Sequence, residues 1–482
     1  MASLSNDNPS SIPEWKIAMN AKLAATPCKF YKFGTCLQAN NCVFLHDPKS
    51  ILPPKPRPPD PIVTLNGPPE LTSILSNSLL TQWRGDGKQN AHLQGFHPRK
   101  AIMNPDATSL LLNLIHPANN KATPLPTTCT LLDPFIGSGT TAVECLRRGW
   151  SVLGTDISPT AIGIARCHSW IATQEEINDL KQTIELVVTA FQKKNIHVEN
   201  IAATTEILQN IIRQRKERLK QEQELKQEQK QDQKQKQILF QFDPIENTLH
   251  FLLDYEENRQ DLKGMPDAAC ASWSLSKRYQ RTAERYIEKL ELFRQAVPNT
   301  TSFPTFLVHD AKMVLPISQE LGLFDGIVTS PPYPGVYNYV EDENGIDSAF
   351  VRGSGSNIAT NVVLIKSDQE IGSKNQFLLQ QQNQDTNFTT RWQTDTIAWM
   401  SATTQVLRIG GRMVMLIGDN AEIDVLKSVK DAAEHCGGID YQLVFIASAS
   451  VKEENNERRP WGKQSRGYRT EHTILLEKRE TL

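Results

Sequence analysis

Residues 131–141, LLDPFIGSGTT, constrain the fold more than any other stretch of the chain. A short apolar run, Thr130 to Leu132, ends in the acid Asp133. A turn containing Gly137, Ser138 and Gly139 follows, and an amphipathic helix is predicted from Thr140 to about Arg148. This is a strand, a glycine turn and a helix start. Glycines let the backbone come close to a ligand, and a helix start presents free N–H groups. The next apolar run, 151–154, leads to Thr155 and Asp156, and an acid at the end of a second strand is placed to meet a ribose diol. The pattern points to a parallel α/β sheet and a nucleoside cofactor. A plain tight turn or a dinucleotide fold would show the same residues, so a second feature has to separate them.

That feature is Thr329-Ser330-Pro331-Pro332-Tyr333. Together the two stretches resemble the amino-methyltransferases of nucleic acids, which use S-adenosylmethionine (SAM). In that family D-P-F-x-G-S-G-T is the cofactor loop and S-P-P-Y is the catalytic tetrapeptide, and both stand here without a gap. The resemblance covers roughly residues 90–170 and 300–478. It implies a Rossmann-like class I methyltransferase fold, with a seven-stranded mixed sheet. It implies SAM held by Asp133, Phe135, Gly137, Ser138, Gly139, Thr140 and Asp156. The run 305–308 followed by His309, Asp310 and Ala311 resembles the family's third cofactor segment, where an acid accepts from the adenine amine. A short acidic turn would look alike without any ligand. His97-Pro98, before a helix predicted over 107–115, resembles the segment that packs on the methionine end of SAM, or is a plain turn.

The same resemblance assigns the chemistry. An exocyclic amine is a poor nucleophile, because its lone pair is delocalised into the ring. Ser330 and the Pro331 carbonyl would accept the two amine protons, and Tyr333 would offer a π-face to the base. Neither Pro331 nor Pro332 has an N–H, so the turn presents acceptors only. Holding both reactants together lowers such a barrier by about 7–11 kcal/mol. A base in a duplex must first be flipped out, at a few kcal/mol. Serine in the first position is typical of enzymes acting on cytosine N4, although some adenine N6 enzymes carry it too. Many S-P-P-Y enzymes place the tetrapeptide before the cofactor loop; here it comes after. Three functions follow: a DNA methyltransferase for cytosine N4 or adenine N6, an RNA or tRNA base methyltransferase, and an inactive methyltransferase fold that binds nucleic acid.

Around this core the 482-residue chain divides by composition. Residues 1–25 form a tail with one amphipathic helix predicted over 13–25. Residues 26–48 carry Cys28, Cys36, Cys42 and His46, spaced C-x7-C-x5-C-x3-H. Four such ligands make a closed tetrahedral set for a structural zinc ion. The segment resembles a CCCH zinc finger, whose aromatics and lysines suit single-stranded RNA, or which serves folding or protein contact alone. Residues 49–70 are a proline-rich linker in extended form. Residues 71–170 hold the first part of the core and 301–482 the second. Between them, 171–300 is a helical insertion, a candidate for recognising the target. Within it, 213–237 is nearly all Gln, Lys, Glu and Arg without an apolar face, so it is a solvated or disordered arm, or one that contacts a nucleic-acid strand. Further strands are predicted near 322–328, 406–420, 443–446 and 472–476. Arg459, Trp461, Lys463, Arg466 and Tyr468 interleave basic and aromatic residues, which suits phosphates and splayed bases, or is an ordinary exposed loop.

A net charge of −2 gives no global basic field, so nucleic-acid contact would come from local patches. Eight cysteines, three of them beside a histidine, suit a reducing compartment rather than a disulfide framework. No apolar run approaches the roughly 18 residues of a membrane span, and the first residues lack a signal pattern. Partners are thus nucleic acid and no membrane, with the oligomeric state open. A nuclear site suits such a finger, with cytoplasm or organelle left open.

Overall fold

The computed structural model describes residues 61–84, 93–96, 103–115, 129–194, 201–227, 243–257, 275–315, 322–336, 370–374, 377, 388–420, 422–452 and 470–481. The chain divides into two units, Met1–Asp60 and Pro61–Leu482, and everything below concerns the second.

Four residues sit at the middle of the five parallel strands. Strand β2 (Thr130–Asp133) is flanked on one side by β3 (Ser151–Asp156) and on the other by β5 (Phe324–Thr329), both parallel to it. β4 (Thr305–Val308) lies outside β3, and β6 (Leu407–Gly418) lies outside β5, also in parallel. β8 (Thr470–Glu480) and β7 (Tyr441–Lys452) then continue the sheet in antiparallel pairings. A last strand, β1 (Ile62–Asn66), pairs antiparallel with β7. The order is β1-β7-β8-β6-β5-β2-β3-β4. The sheet therefore has eight strands and not the expected seven. The extra one lies in the stretch whose prolines mark it as linker. It is five residues long, and its partner is nearly 400 positions away, so no local pattern announces it. From β2 the chain steps outward through β3 and β4, then returns to β5 on β2's other side. Such a reversal opens a crevice at the carboxyl ends of the two strands, as in Rossmann-like sheets. The fold is Rossmann-like in this sense.

The strands bury both faces, and residue parity decides which face each side chain joins. Leu131, Val152, Val328, Val414, Leu416 and Leu475 enter one apolar core. Their neighbours Leu132, Leu153, Ile327, Met413, Met415 and Ile474 enter the other. Helices cover the two layers. On the first face lie α1 (Pro69–Arg84), α2 (Pro105–Leu112), α3 (Thr140–Leu146) and α4 (Pro159–His168). On the second lie α9 (Phe388–Val406) and α10 (Val425–His435), with Trp392, Trp399 and Met400 of α9 in the core.

Local chemistry explains the helix starts. Asn104 caps α2 through its side-chain oxygen, and Ser158 caps α4 with Pro159 just inside. The insertion adds α5 (Gln174–Lys193), α6 (Ile201–Gln227), α7 (Pro244–Glu257) and α8 (Leu275–Ala296). α5 opens with a Thr173–Glu176 capping box and buries Ile177, Leu180, Ile184, Val187 and Phe191 at helical spacing. α6 buries Ile207, Leu208, Ile211 and Ile212, and then turns polar. Its charged residues still pair with neighbours: Arg215 joins Asp179 at 2.8 Å and also pairs with Asp243, and Arg218 reaches Asp179 at 2.8 Å, tying α6 to α5 and to the start of α7. Among the described residues, no helix is long and apolar enough to cross a membrane.

Candidate cofactor and catalytic site

β2 and β5 are adjacent and parallel, so their two loops leave from one edge of the sheet. A side-chain hydrogen bond ties the ends of the two strands: the Thr329 hydroxyl donates to Asp133 Oδ1 at 2.7 Å. The same oxygen accepts the Phe135 N–H at 3.1 Å. Asp133 is only 1% exposed, and burial pushes its carboxyl up to about 6, although the Thr329 and Thr141 hydroxyls and the Phe135 N–H pull it back. It sits beneath the loop and clasps the two motifs together.

Asp156 works from the next strand. Its Oδ2 accepts the Gly137 N–H at 3.0 Å, and its Oδ1 accepts the Ser158 N–H at 2.9 Å. Each carboxylate oxygen keeps acceptor capacity beyond one such bond. The Ile136 N–H reaches the Thr155 carbonyl at 2.9 Å, so the loop is laced along the end of β3. Gly137 and Gly139 have φ of +50° and +82°, a region that side chains rarely adopt. A Cβ on Gly139 would stand 2.9 Å from Ala165 Cα, whereas one on Gly137 would meet nothing nearer than the Phe135 carbonyl at 3.9 Å. The turn is thus packed below Gly139 and open above Gly137. Ser138, Thr140 and Thr141 are buried beside it.

β4 brings the third segment alongside. The His309 N–H donates to the Asp156 carbonyl at 2.9 Å. Asp310 follows, its side chain 32% exposed, with Oδ1 accepting the Lys312 N–H at 3.0 Å. Lys312 Nζ lies 3.4 Å from Asp395 of α9.

On the other side of β2, Ser330 is half-buried and its hydroxyl donates to the Leu416 carbonyl of β6 at 3.0 Å. With its proton committed there, Oγ faces any further partner as an acceptor. Pro331 and Pro334 are buried, while Pro332 and Tyr333 are half-buried. Tyr333 and Phe135 pack on the same apolar core, and Phe135 meets Trp399 edge-on at 5.3 Å. Phe135 of the first motif and Tyr333 of the second are therefore neighbours of one cluster.

Several supports of this site carry no local sequence signal. Residues 370–373 brace the tetrapeptide: the Gly335 N–H donates to the Gly372 carbonyl at 2.9 Å. Thr329, Trp399 and His168, whose Nδ1 lies 2.7 Å from the Ser138 carbonyl, likewise gain their roles only from the fold. Other candidates lie outside the described residues: His97, the zinc set Cys28, Cys36, Cys42 and His46, and the basic-aromatic set Arg459, Trp461, Lys463, Arg466 and Tyr468. Among the described residues, no group of three or more His, Cys, Asp or Glu could hold a metal ion.

No protein family profile matches the chain, and no curated protein does. Among solved structures the chain is similar to the crystal structure of TrmN from Thermus thermophilus, at 13% identity and a TM-score of 0.28. The match covers 80% of this chain and 51% of that one, so the chain spans about half the length of the protein it matches. A superposition at that level fixes neither fold nor chemistry, and the site is read from its own residues.

Proposed function

We propose that this chain is a SAM-dependent methyltransferase acting on the exocyclic amine of a nucleic-acid base, cytosine N4 or adenine N6 in DNA. The observation that carries the reading is the 2.7 Å bond from Thr329 to Asp133, which seats the glycine loop and the S-P-P-Y turn side by side at the strand-order reversal. The residues fit the cofactor. Gly137 leaves its face of the turn open, Asp156 stands at the end of the second strand for a ribose diol, and Asp310 stands one strand further for an adenine amine. Ser138, Gly139, Thr140 and Phe135 complete the cradle, and Asp133 holds it to β5.

When bound, SAM supplies an electrophilic methyl on a sulfonium. The chain's own residues supply the rest. Ser330 Oγ and the Pro331 carbonyl accept the amine protons and draw the nitrogen toward a tetrahedral shape. The Leu416 carbonyl keeps the Ser330 hydroxyl turned the right way. Tyr333 stacks on the base and Pro332 stiffens the turn. No strong base is needed, since the product ammonium is acidic.

A second reading, an RNA or tRNA base methyltransferase, is favoured by the spacing of Cys28, Cys36, Cys42 and His46, which would hold a structural zinc ion in an RNA-binding finger. Arg459, Trp461, Lys463, Arg466 and Tyr468 would serve either nucleic acid.

The test is incubation of the full chain with methyl-labelled SAM and, separately, duplex DNA, single-stranded DNA or total RNA, followed by digestion to nucleosides. N4-methylcytosine or N6-methyladenine from DNA supports the first reading. Label in RNA alone selects the second. No label, with tight nucleic-acid binding, selects an inactive methyltransferase fold.

A further inference from the structure

His168 closes α4 and faces two ways. Its Nδ1 lies 2.7 Å from the Ser138 carbonyl. A carbonyl only accepts, so this nitrogen carries the proton and donates. The ring is fully buried and meets Phe251 of α7 edge-on, with centroids 5.4 Å apart. The residue before it, Cys167, gives its carbonyl to the Tyr286 hydroxyl of α8 at 2.7 Å. One turn back, Ala165 lies directly under Gly139. The end of α4 therefore touches the glycine loop at two points and the insertion at two points. The peptide held by His168 is the one between Ser138 and Gly139, which lies between the two left-handed glycines, Gly137 and Gly139.

Packing alone does not call for histidine here, because a leucine would fill much of the same space. What histidine adds is a donor aimed at a loop carbonyl. We infer that His168 is a positioning residue for this loop, and that through it the helical insertion sets the loop's conformation; the inference rests on reading the loop as the cofactor site. His168 is fully buried and acts through the Ser138 carbonyl. The insertion becomes the back wall of the site rather than a separable recognition arm.

Two substitutions test this in the full chain. His168→Leu keeps apolar bulk and removes the donor. His168→Asn places an amide N–H near the position of Nδ1. Amide hydrogen exchange of residues 136–141 is followed without ligand, and SAM affinity is measured by calorimetry. His168→Leu is expected to speed loop exchange about tenfold and weaken SAM about tenfold, since a buried carbonyl loses its donor. His168→Asn should stay within about threefold of the parent on both readouts. A role in packing alone would leave loop exchange and SAM affinity unmoved by His168→Leu, or disturb both variants equally, and either result overturns the inference. If His168→Leu does not fold, Phe251→Leu serves: faster loop exchange supports the link to the insertion, and unchanged exchange overturns it. If the parent chain binds no SAM, the proposed function fails, while the exchange comparison still decides the role of His168.

Discussion

At the residue scale, hydrogen-bond direction separates the roles. Ser330 spends its proton on Leu416, so its oxygen is left to accept. Ser330→Ala is expected to lower single-turnover methylation about 100-fold, the scale of losing one oriented polar group in a transition state. SAM affinity by calorimetry should stay within about twofold, and a large loss would move Ser330 to the cofactor side. Asp156 has the opposite profile. Asp156→Asn loses the charge and one acceptor, and should weaken SAM about tenfold. Unchanged affinity would remove it from the site. Asp133 titrates within reach of ordinary buffers. Its carboxyl is raised by burial from 3.8 to about 6, so the folded state favours the neutral form. The stability it contributes is present at low pH and is lost as pH rises through about 6, by roughly 3 kcal/mol across that window. Denaturant unfolding of the parent against Asp133→Asn should show this difference growing from pH 4 to pH 7. A flat difference would show that Asp133 does not titrate there. The motif singles out Asp133 as a candidate, but not its place under the loop, because burial and the bond to Thr329 depend on a strand nearly 200 residues away.

At the scale of elements, strands and helices with their own punctuation were readable. α4 has Ser158 and Pro159 at its start, and β3 has an apolar run ending in an acid. β6 follows α9 without a break, but its pairing with β5 jumps from Leu407 to Arg412, and Gly410 in that gap is left-handed, so Gly410-Gly411 marks an irregularity ahead of the regular ladder. β1 was unreadable because a five-residue edge strand takes its stability from β7 rather than from propensity. Its Ile62 and Leu65, 54% and 51% exposed, give little burial pattern to detect. The strand–turn–helix unit of β2 and α3 yields a sharp test. Gly139→Ala places a side chain at φ +82° and into Ala165. It should cost more than about 1 kcal/mol from the backbone alone, with the collision added, and lower the melting temperature. An unchanged melting temperature would show that the α3–α4 contact yields freely.

At the scale of the molecule, the composition break at 171 reads as a helical insertion, and the apolar faces show what it packs on. Ile177, Phe191, Leu208, Phe251, Tyr279 and Tyr286 belong to one core with Leu131, Val143, Ile164 and Cys167. Phe96, upstream of the glycine loop, packs edge-on against Tyr286 at 5.4 Å. Sequence shows each helix's buried stripe but not what it is buried against, so the insertion's share in the core is not legible there. Removing 171–300 behind a short linker would bare the outer side of α4 and Phe96. Each large side chain so exposed costs about 1.5–3 kcal/mol, and a folded chain has only about 5–15 kcal/mol in hand. The shortened chain should therefore lose its cooperative heat-capacity peak and its near-ultraviolet dichroism. A sharp melt from the chain lacking 171–300 would mean that the two layers around β2 suffice, and that the insertion rests on the core without holding it.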